Sequence, residues 1–226
     1  MLAISATDAW RAAHPGAAIG LLELSGIAGS GESGRLADRK RETEARLRDR
    51  YQGLTRQDFT ALPVMAAYVR YYKRFSKTYH VQLQLESIVL KGKSLPSVSP
   101  LVDANFAAEV DTLVLTAGHD ATKLEGAVSI DVSRDGDEMT QMNGSLTALR
   151  PGDMVMRDAR GVCCSIIYGQ DNRSPISRES SHVLYVAYAP AGVPATAVEA
   201  QLQAIEDNVR LVSARFVVDQ RLVLAA

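Results

Sequence analysis

The chain is sparing with the residues that staple folds or bind metals: its 226 residues include two cysteines, one tryptophan and four histidines. The cysteines are neighbours, Cys163 and Cys164, in the apolar run VCCSII. Strand alternation sends adjacent side chains to opposite faces, so we expect two small buried hydrophobes there rather than a disulfide or a metal cage. His14, His80, His119 and His182 share no short ligand spacing such as H-x-x-x-H, and neither a metal site nor a cofactor is expected. His14, at a helix end, and His182, ahead of a strand, read as surface residues. No G-x-S-x-G nucleophile elbow and no G-K-[ST] phosphate loop occurs. No apolar run approaches the roughly twenty residues that span a bilayer, and the first residues lack the basic start, apolar core and small-residue end of a leader. These absences point to a cytoplasmic protein with no membrane partner, and nothing supports a lipid, DNA or protease role.

What is present is ordinary for a globular chain, 46% hydrophobic and 23% charged, and long enough for one compact α/β domain or a domain with an appended layer. The net charge of −1 conceals an asymmetry: residues 35–77 carry 12 Lys/Arg against 5 Asp/Glu, the first 34 carry 1 against 3, and the rest carry 12 against 18. A basic segment beside an acidic remainder suits a phosphate backbone. Charge also alternates at helical spacing in DRKRETEARLRDR, which describes a solvated helix laced with ion pairs equally well.

Helical spacing covers residues 3–13, stopped by His14-Pro15-Gly16, and residues 18–24 read as a buried strand. A Gly/Ser loop over 25–34 precedes an exposed helix over 35–51. Pro63 suits the first turn of a helix to about residue 75, with Met65, Val69 and Tyr72 on one face and Arg70, Lys73 and Arg74 on others. A short helix over 81–91 ends at Gly92. Residues 101–115 are apolar at helical spacing, whereas 127–132, 154–157, 162–167 and 183–188 look like strands. Asp135-Gly136, Asn143-Gly144 and Pro151-Gly152 are the strongest turn signals between them. A helix over 195–213 follows, and 216–224 is an added strand or an extended tail. Gly29 to Gly34 spells G-x-G-x-x-G, but the helix behind it is charged throughout and no acidic strand end follows about twenty residues on, so a surface loop is the better reading than a nucleotide cradle.

Residues 95–126, LPSVSPLVDANFAAEVDTLVLTAGHDATKLEG, resemble the B3/B4 domain of the bacterial phenylalanyl-tRNA synthetase β subunit, the module that clears mischarged tRNA. The matching skeleton is Val98, Leu101-Val102-Asp103, Asn105, Asp120 and Glu125-Gly126. The likeness continues through MNGSLTALRPGDMVMRDARG and ISRESSHVLYVAY, and YVRYYKRFSKTYHVQLQLESIVLKGKSLP is similar to the front of versions that carry this domain without a synthetase. The resemblance implies an α/β (α+β) fold, a layered β/β/α sandwich over 95–226, with residues 1–94 packed on it as additional N-terminal helices and strand within one compact domain. Two departures stand out: the family's histidine falls on Ala117 and its pocket glutamate on Val186. Tyr168 and Arg173 take the place of an aromatic and a cation found in the relatives.

The implied function is binding of aminoacyl-tRNA, with deacylation of a mischarged species in trans as its purpose. Ester hydrolysis needs a positioned water, a group to orient or deprotonate it, and donors facing the oxyanion. Asn105, His119 and Asp171 are the candidate catalytic residues, Asp103, Asp120, Tyr168 and Arg173 the candidate substrate contacts, and Arg70, Lys73 and Arg74 the candidate RNA contacts. Each has a structural alternative: Asp103 as a helix anchor, Asn105 as a partner for buried backbone, Asp171-Asn172 as a turn. A non-catalytic tRNA or amino-acid binding module is the main alternative, favoured by the loss of the two polar pocket groups; a hydrolase of small esters unrelated to RNA is the third.

Overall fold

The computed structural model describes residues 1–28 and 33–226. Along the chain run β1 (Ile4–Ala6), α1 (Asp8–Ala13), β2 (Ala18–Ser25), α2 (Gly34–Arg50), α3 (Arg56–Ala61), α4 (Pro63–Lys73), α5 (His80–Val89) and α6 (Pro100–Thr112). They are followed by β3 (Thr116–Asp120), β4 (Val128–Val132), β5 (Glu138–Thr140), β6 (Leu146–Ala148), β7 (Met154–Asp158) and β8 (Gly161–Ser165). The last four are β9 (Gly169–Gln170), β10 (Val183–Ala189), α7 (Ala195–Val212) and β11 (Val217–Ala225). Local chemistry starts several helices: Thr7 caps α1, Thr55 and Asp58 form a capping box on α3, and Pro63 and Pro100 occupy the first turns of α4 and α6.

The chain is α/β, as expected. One antiparallel sheet has the order β11-β2-β10-β3, a second runs β1-β4-β7-β8-β9, and β5 and β6 form a separate hairpin. Every residue of β10 is buried, as are the first seven of β2, so these two central strands are covered on both faces, while the edge strand β11 stays partly exposed. Helices α6 and α7 pack on it and on each other. Ile130, Met154, Met156 and Cys163 of the second sheet share one apolar core with Leu22, Val186 and Tyr188 of the first. Cys163 and Cys164 are both free and buried. No helix among the described residues is long and apolar enough to cross a membrane.

Several local readings change. Residues 4–6 are a strand, not helix, because they pair in parallel with Val128–Ile130. The helix over residues 34–50 is not simply exposed: Leu36, Lys40, Thr43, Glu44 and Leu47 form an inward stripe. His14 is buried, and His182 is half-buried with Nε2 at 2.7 Å from Glu23. Residues 217–225 resolve into a strand along β2, with a bulge at Asp219. The sequence pattern did not reveal β3, which carries Gly118-His119-Asp120 and owes its strand form to pairing with β10. Most of the G-x-G-x-x-G motif, Gly29 to Glu32, lies outside the described residues.

Two buried positions lend themselves to test. A side chain at Gly20 would meet Val198 Cγ1 at 2.6 Å, and a β-branched neighbour has little rotamer freedom to yield. Gly20→Ala is expected to cost about 1–3 kcal/mol, read as a lower melting temperature. Glu109, beneath β3, accepts from Thr116 N at 2.9 Å, and burial lifts its pKa from 4.5 to about 8. The folded chain therefore holds a proton that the unfolded chain releases above pH 4.5, so stability falls as pH rises toward 8. Glu109→Gln should flatten this slope and stabilise the protein by roughly 1–4 kcal/mol at the alkaline end; parallel melting curves for the two proteins across pH would refute the assignment.

Candidate functional site

Where β3, β10, α6 and the ends of β8 and β9 meet, the structure leaves a cavity of about 340 Å³. This is at the small end of the range for small-molecule sites, a size suited to a single amino acid better than to a nucleotide. Its walls are mainly apolar: Val102, Phe106, Leu115, Ile166, Ile176 and Tyr185 among others. Val98 and Met142, both exposed, also border it. The polar groups that line it include Asn105, Thr116, Gln170, His80, Ser165 and Tyr188, and among the described residues no carboxylate does so.

Asn105 lines this cavity, but its amide is committed inward. Nδ2 donates to Thr116 O at 2.9 Å, and Oδ1 accepts from Gln201 Nε2 at 3.4 Å. Gln201 also donates to Thr116 Oγ1 at 2.9 Å. Asn105 thus fixes the start of β3 to α6 and α7. The Tyr188 hydroxyl is buried beside the Cys164 thiol and makes no hydrogen bond of normal geometry. His80, flanked by Tyr72 and Tyr79, has its pKa lowered by desolvation, so a neutral imidazole faces the cavity near pH 7. Sequence reasoning passed over both residues: a lone histidine after a tyrosine and a tyrosine inside an apolar strand carry no motif.

His119 and Asp171 do not line this cavity. They meet each other in a buried cluster reached through Gln170. His119 Nδ1 lies 2.8 Å from Ser174 Oγ and 3.1 Å from Gln170 Nε2, while Ser174 Oγ donates to Asp171 Oδ1 at 2.8 Å. Burial, then the Arg173 charge, lowers the His119 pKa to about 3, and its Nε2 is buried without a partner. The serine here binds the carboxylate directly rather than passing its proton through the imidazole, so the three are not wired as a Ser-His-Asp triad. Arg173 closes the cluster, with Nε 2.7 Å from Asp171 and Nη1 3.2 Å from Asp158.

The other candidate contacts lie elsewhere. Asp120 caps a short turn, accepting from Thr122 N at 3.1 Å and from Ser180 Oγ at 2.7 Å. Tyr168 packs on the small core of Met139, Leu149, Val155 and Val162, with Lys77 Nζ 5.8 Å from its ring centre. Asp103 receives Lys40 Nζ at 2.8 Å and Val98 N at 2.8 Å, which ties α2 and the 94–99 segment to α6. That pair borders the larger cavity of about 650 Å³ between α2 and the same segment, where its charges are already matched. Ala117 lines the smaller cavity, and its register partner across β3 and β10 is Val186. The two positions where the resemblance loses polar groups therefore face the same side of one sheet.

The basic segment divides in two. In α2 and just after it, Arg39 pairs with Glu42, Lys40 with Asp103, Arg41 with Asp38, Arg46 with Asp111, Arg48 with Glu44 and Arg56 with Glu86. Arg70, Lys73 and Arg74 on the outward side of α4 are exposed, and no carboxylate pairs with them among the described residues. The ion-pair reading holds for α2, while α4 keeps its positive charge unmatched.

No curated protein matches the chain. Among solved structures, an N-terminal fragment of the phenylalanyl-tRNA synthetase β subunit from Pyrococcus horikoshii superposes with a TM-score of 0.48 at 6% identity, over 93% of this chain and 49% of that one. The chain thus spans about half the length of that fragment. The B3/4 domain family profile matches residues 64–220, which run from α4 to the start of β11 and include every residue that lines the smaller cavity; the chain belongs to the B3/4 domain family.

Proposed function

We propose that the protein binds the aminoacyl end of a charged tRNA in the cavity between β3, β10 and α6 and hydrolyses the ester when the amino acid is the wrong one. The observation that carries this reading is the cavity itself, amino-acid sized and apolar, with the unsatisfied Tyr188 hydroxyl among its lining groups. A buried hydroxyl without a partner costs about 1–3 kcal/mol, which a ligand carbonyl or amine recovers on binding. Membership of the B3/4 family, whose synthetase module the sequence resembles, supplies the link to tRNA and fits a place in the cytoplasm. In this reading His80 orients or deprotonates the attacking water and Tyr188 donates to the carbonyl oxygen, while the Gln170 amide nitrogen stays with Ser174 O at 2.9 Å and His119 Nδ1 at 3.1 Å. Asn105 acts as a positioning residue through Thr116, and His119 and Asp171 act through Gln170 and Ser174. Arg70, Lys73 and Arg74 meet the RNA backbone.

The second reading, a module that holds the aminoacyl end without cleaving it, draws on one observation: among the described residues no carboxylate lines the cavity, so hydrolysis has to rely on positioning and a single imidazole. A deacylation assay over a panel of mischarged tRNAs separates the two. Turnover is expected on at least one species. It should be lost in Ala117→Leu, which fills the cavity, and in His80→Gln, while tRNA binding persists in both. Because desolvation holds His80 below the ordinary value of about 6.5, wild-type activity should stay level down to that pH and fall only below it. Absence of turnover on every species, with binding retained, would leave the module alone.

RNA affinity should be salt-dependent. Neutralising Arg70, Lys73 and Arg74 is expected to weaken binding across all tRNAs and to shrink the slope of log affinity against log salt by roughly 0.7–0.9 for each phosphate that is no longer neutralised. If no saturable tRNA binding is measured at low salt, both readings fall, and turnover of small esters would then select a hydrolase unrelated to RNA.

A further inference from the structure

A separate cavity of about 250 Å³ opens where α1 ends against α4 and the exit of β10, lined by His14, Arg70, Tyr71, Arg74, Pro190 and Ala191 among others. Arg70 and Arg74 sit one turn apart on α4, so both guanidinium groups project on the same side. Arg74 lies over the Tyr71 ring, 5.2 Å from its centre, and its one hydrogen bond goes to Gly152 O at 3.3 Å. Arg70 reaches across the turn after β10: a Cβ at Gly192 would stand 2.7 Å from its Nη2. Like charges a turn apart repel, and among the described residues no carboxylate offsets them.

The third group is His14. It is 5% exposed, packed at 5.9 Å against the Tyr71 ring, and its Nε2 is buried with no hydrogen-bond partner. A polar atom in that position is rare in a folded chain and calls for a reason. Two unmatched guanidinium forks and a buried imidazole with an unused nitrogen share one small concavity walled by proline and tyrosine. That is the donor set for a tetrahedral oxyanion, since arginine binds phosphate through paired N–H groups and an imidazole N–H adds a further direction.

We infer that this cavity seats a single phosphate group, held by Arg70 and Arg74 and by the His14 ring. The seat lies at the end of β10, the strand whose Tyr188 lines the aminoacyl cavity. The site itself does not depend on the tRNA reading; only the assignment of the phosphate to an RNA backbone rests on it. Desolvation and then the Arg74 charge hold the His14 pKa down at about 4. A bound phosphate opposes the Arg74 charge and favours the protonated ring.

The test follows the His14 imidazole resonances in the full chain during titration with inorganic phosphate or a dinucleoside monophosphate, each against chloride at matched ionic strength. The His14 signals are expected to shift saturably and their apparent pKa to rise by about one unit, a ~tenfold gain in proton affinity. Arg74→Gln and Arg70→Gln should each abolish the response, while Arg160→Gln, on an exposed turn and paired with Glu125, should leave it intact. Saturation by the dinucleotide marks a backbone phosphodiester as the source, and saturation by inorganic phosphate alone marks free phosphate; either outcome supports the seat. Equal shifts with chloride, or a response that survives both arginine substitutions, would overturn it. Failure of tRNA to bind while phosphate still saturates would remove the tRNA reading and leave the seat standing. The reverse result, tRNA binding with silent His14 signals, would remove the seat and leave that reading.

Discussion

Buried tyrosine hydroxyls hold the two sheets and the helical layer in register, and the site depends on them. Tyr68 donates to Tyr188 O at 2.6 Å and accepts from Leu115 N at 3.0 Å, clamping the end of β10 to the entry of β3. Tyr71 donates to Asp153 Oδ1 at 2.6 Å and accepts from Met154 N at 2.7 Å, and Tyr72 donates to Ile166 O at 2.6 Å. From α5's entry Tyr79 reaches Leu113 O at 3.0 Å, its ring stacked on Tyr68 at 4.2 Å. Each hydroxyl satisfies backbone or side-chain groups that lose water where strands end, so the apolar walls of the cavity close without leaving those groups unpaired. The rings are large and rigid, and their hydroxyls fix distance as well as affinity.

One helix does two jobs because of this. In VRYYKR the tyrosines face inward as staples while the basic residues face outward. The contrast with α2 is physical. There the basic side chains alternate with acids of the same helix or meet acids of its neighbours, and the local field largely cancels. On α4 no acid intervenes, so the charge at its C-terminal half survives as a surface potential able to attract a polyanion. The positive end of a charge-balanced protein is thus localised beside the exit of β10 rather than spread over the whole segment from 35 to 77.

The sequence made the fold class legible because β2, β10, α6 and α7 are long, apolar and strongly periodic, and because the Asn143-Gly144 and Pro151-Gly152 turns carry local chemistry. Asn105 borders the cavity because the inward face of α6 carries that position, and the apolar spacing of residues 101–112 made that helix legible. Other features were hidden for one reason: they are set by residues far apart in the chain. Thr116–Asp120 has no alternating pattern, yet it is a strand by virtue of β10. Lys40 and Asp103 are 63 positions apart, and neither announces the other. His14 looked exposed because it follows a helix and precedes Pro-Gly; the burying surface arrives from Tyr71 and from Pro190.

The cavity's chemistry follows from what desolvation does to the groups around it. Glu109, the carboxyl that holds Thr116 from below, is protonated near neutral pH, so it contributes a hydrogen-bond acceptor and little field. Desolvation lowers the pKa of His80, and that of fully buried His119 to about 3. An environment so depleted of charge does not stabilise an ionised nucleophile. It does strengthen each hydrogen bond aimed at a developing oxyanion, because the local dielectric is low and the donors are fixed in advance. Ala117, which lines the cavity, adds no polar group. Under the proposed reading, such surroundings suit an apolar side chain and an already reactive ester, with the imidazole of His80 as the group left to manage a proton.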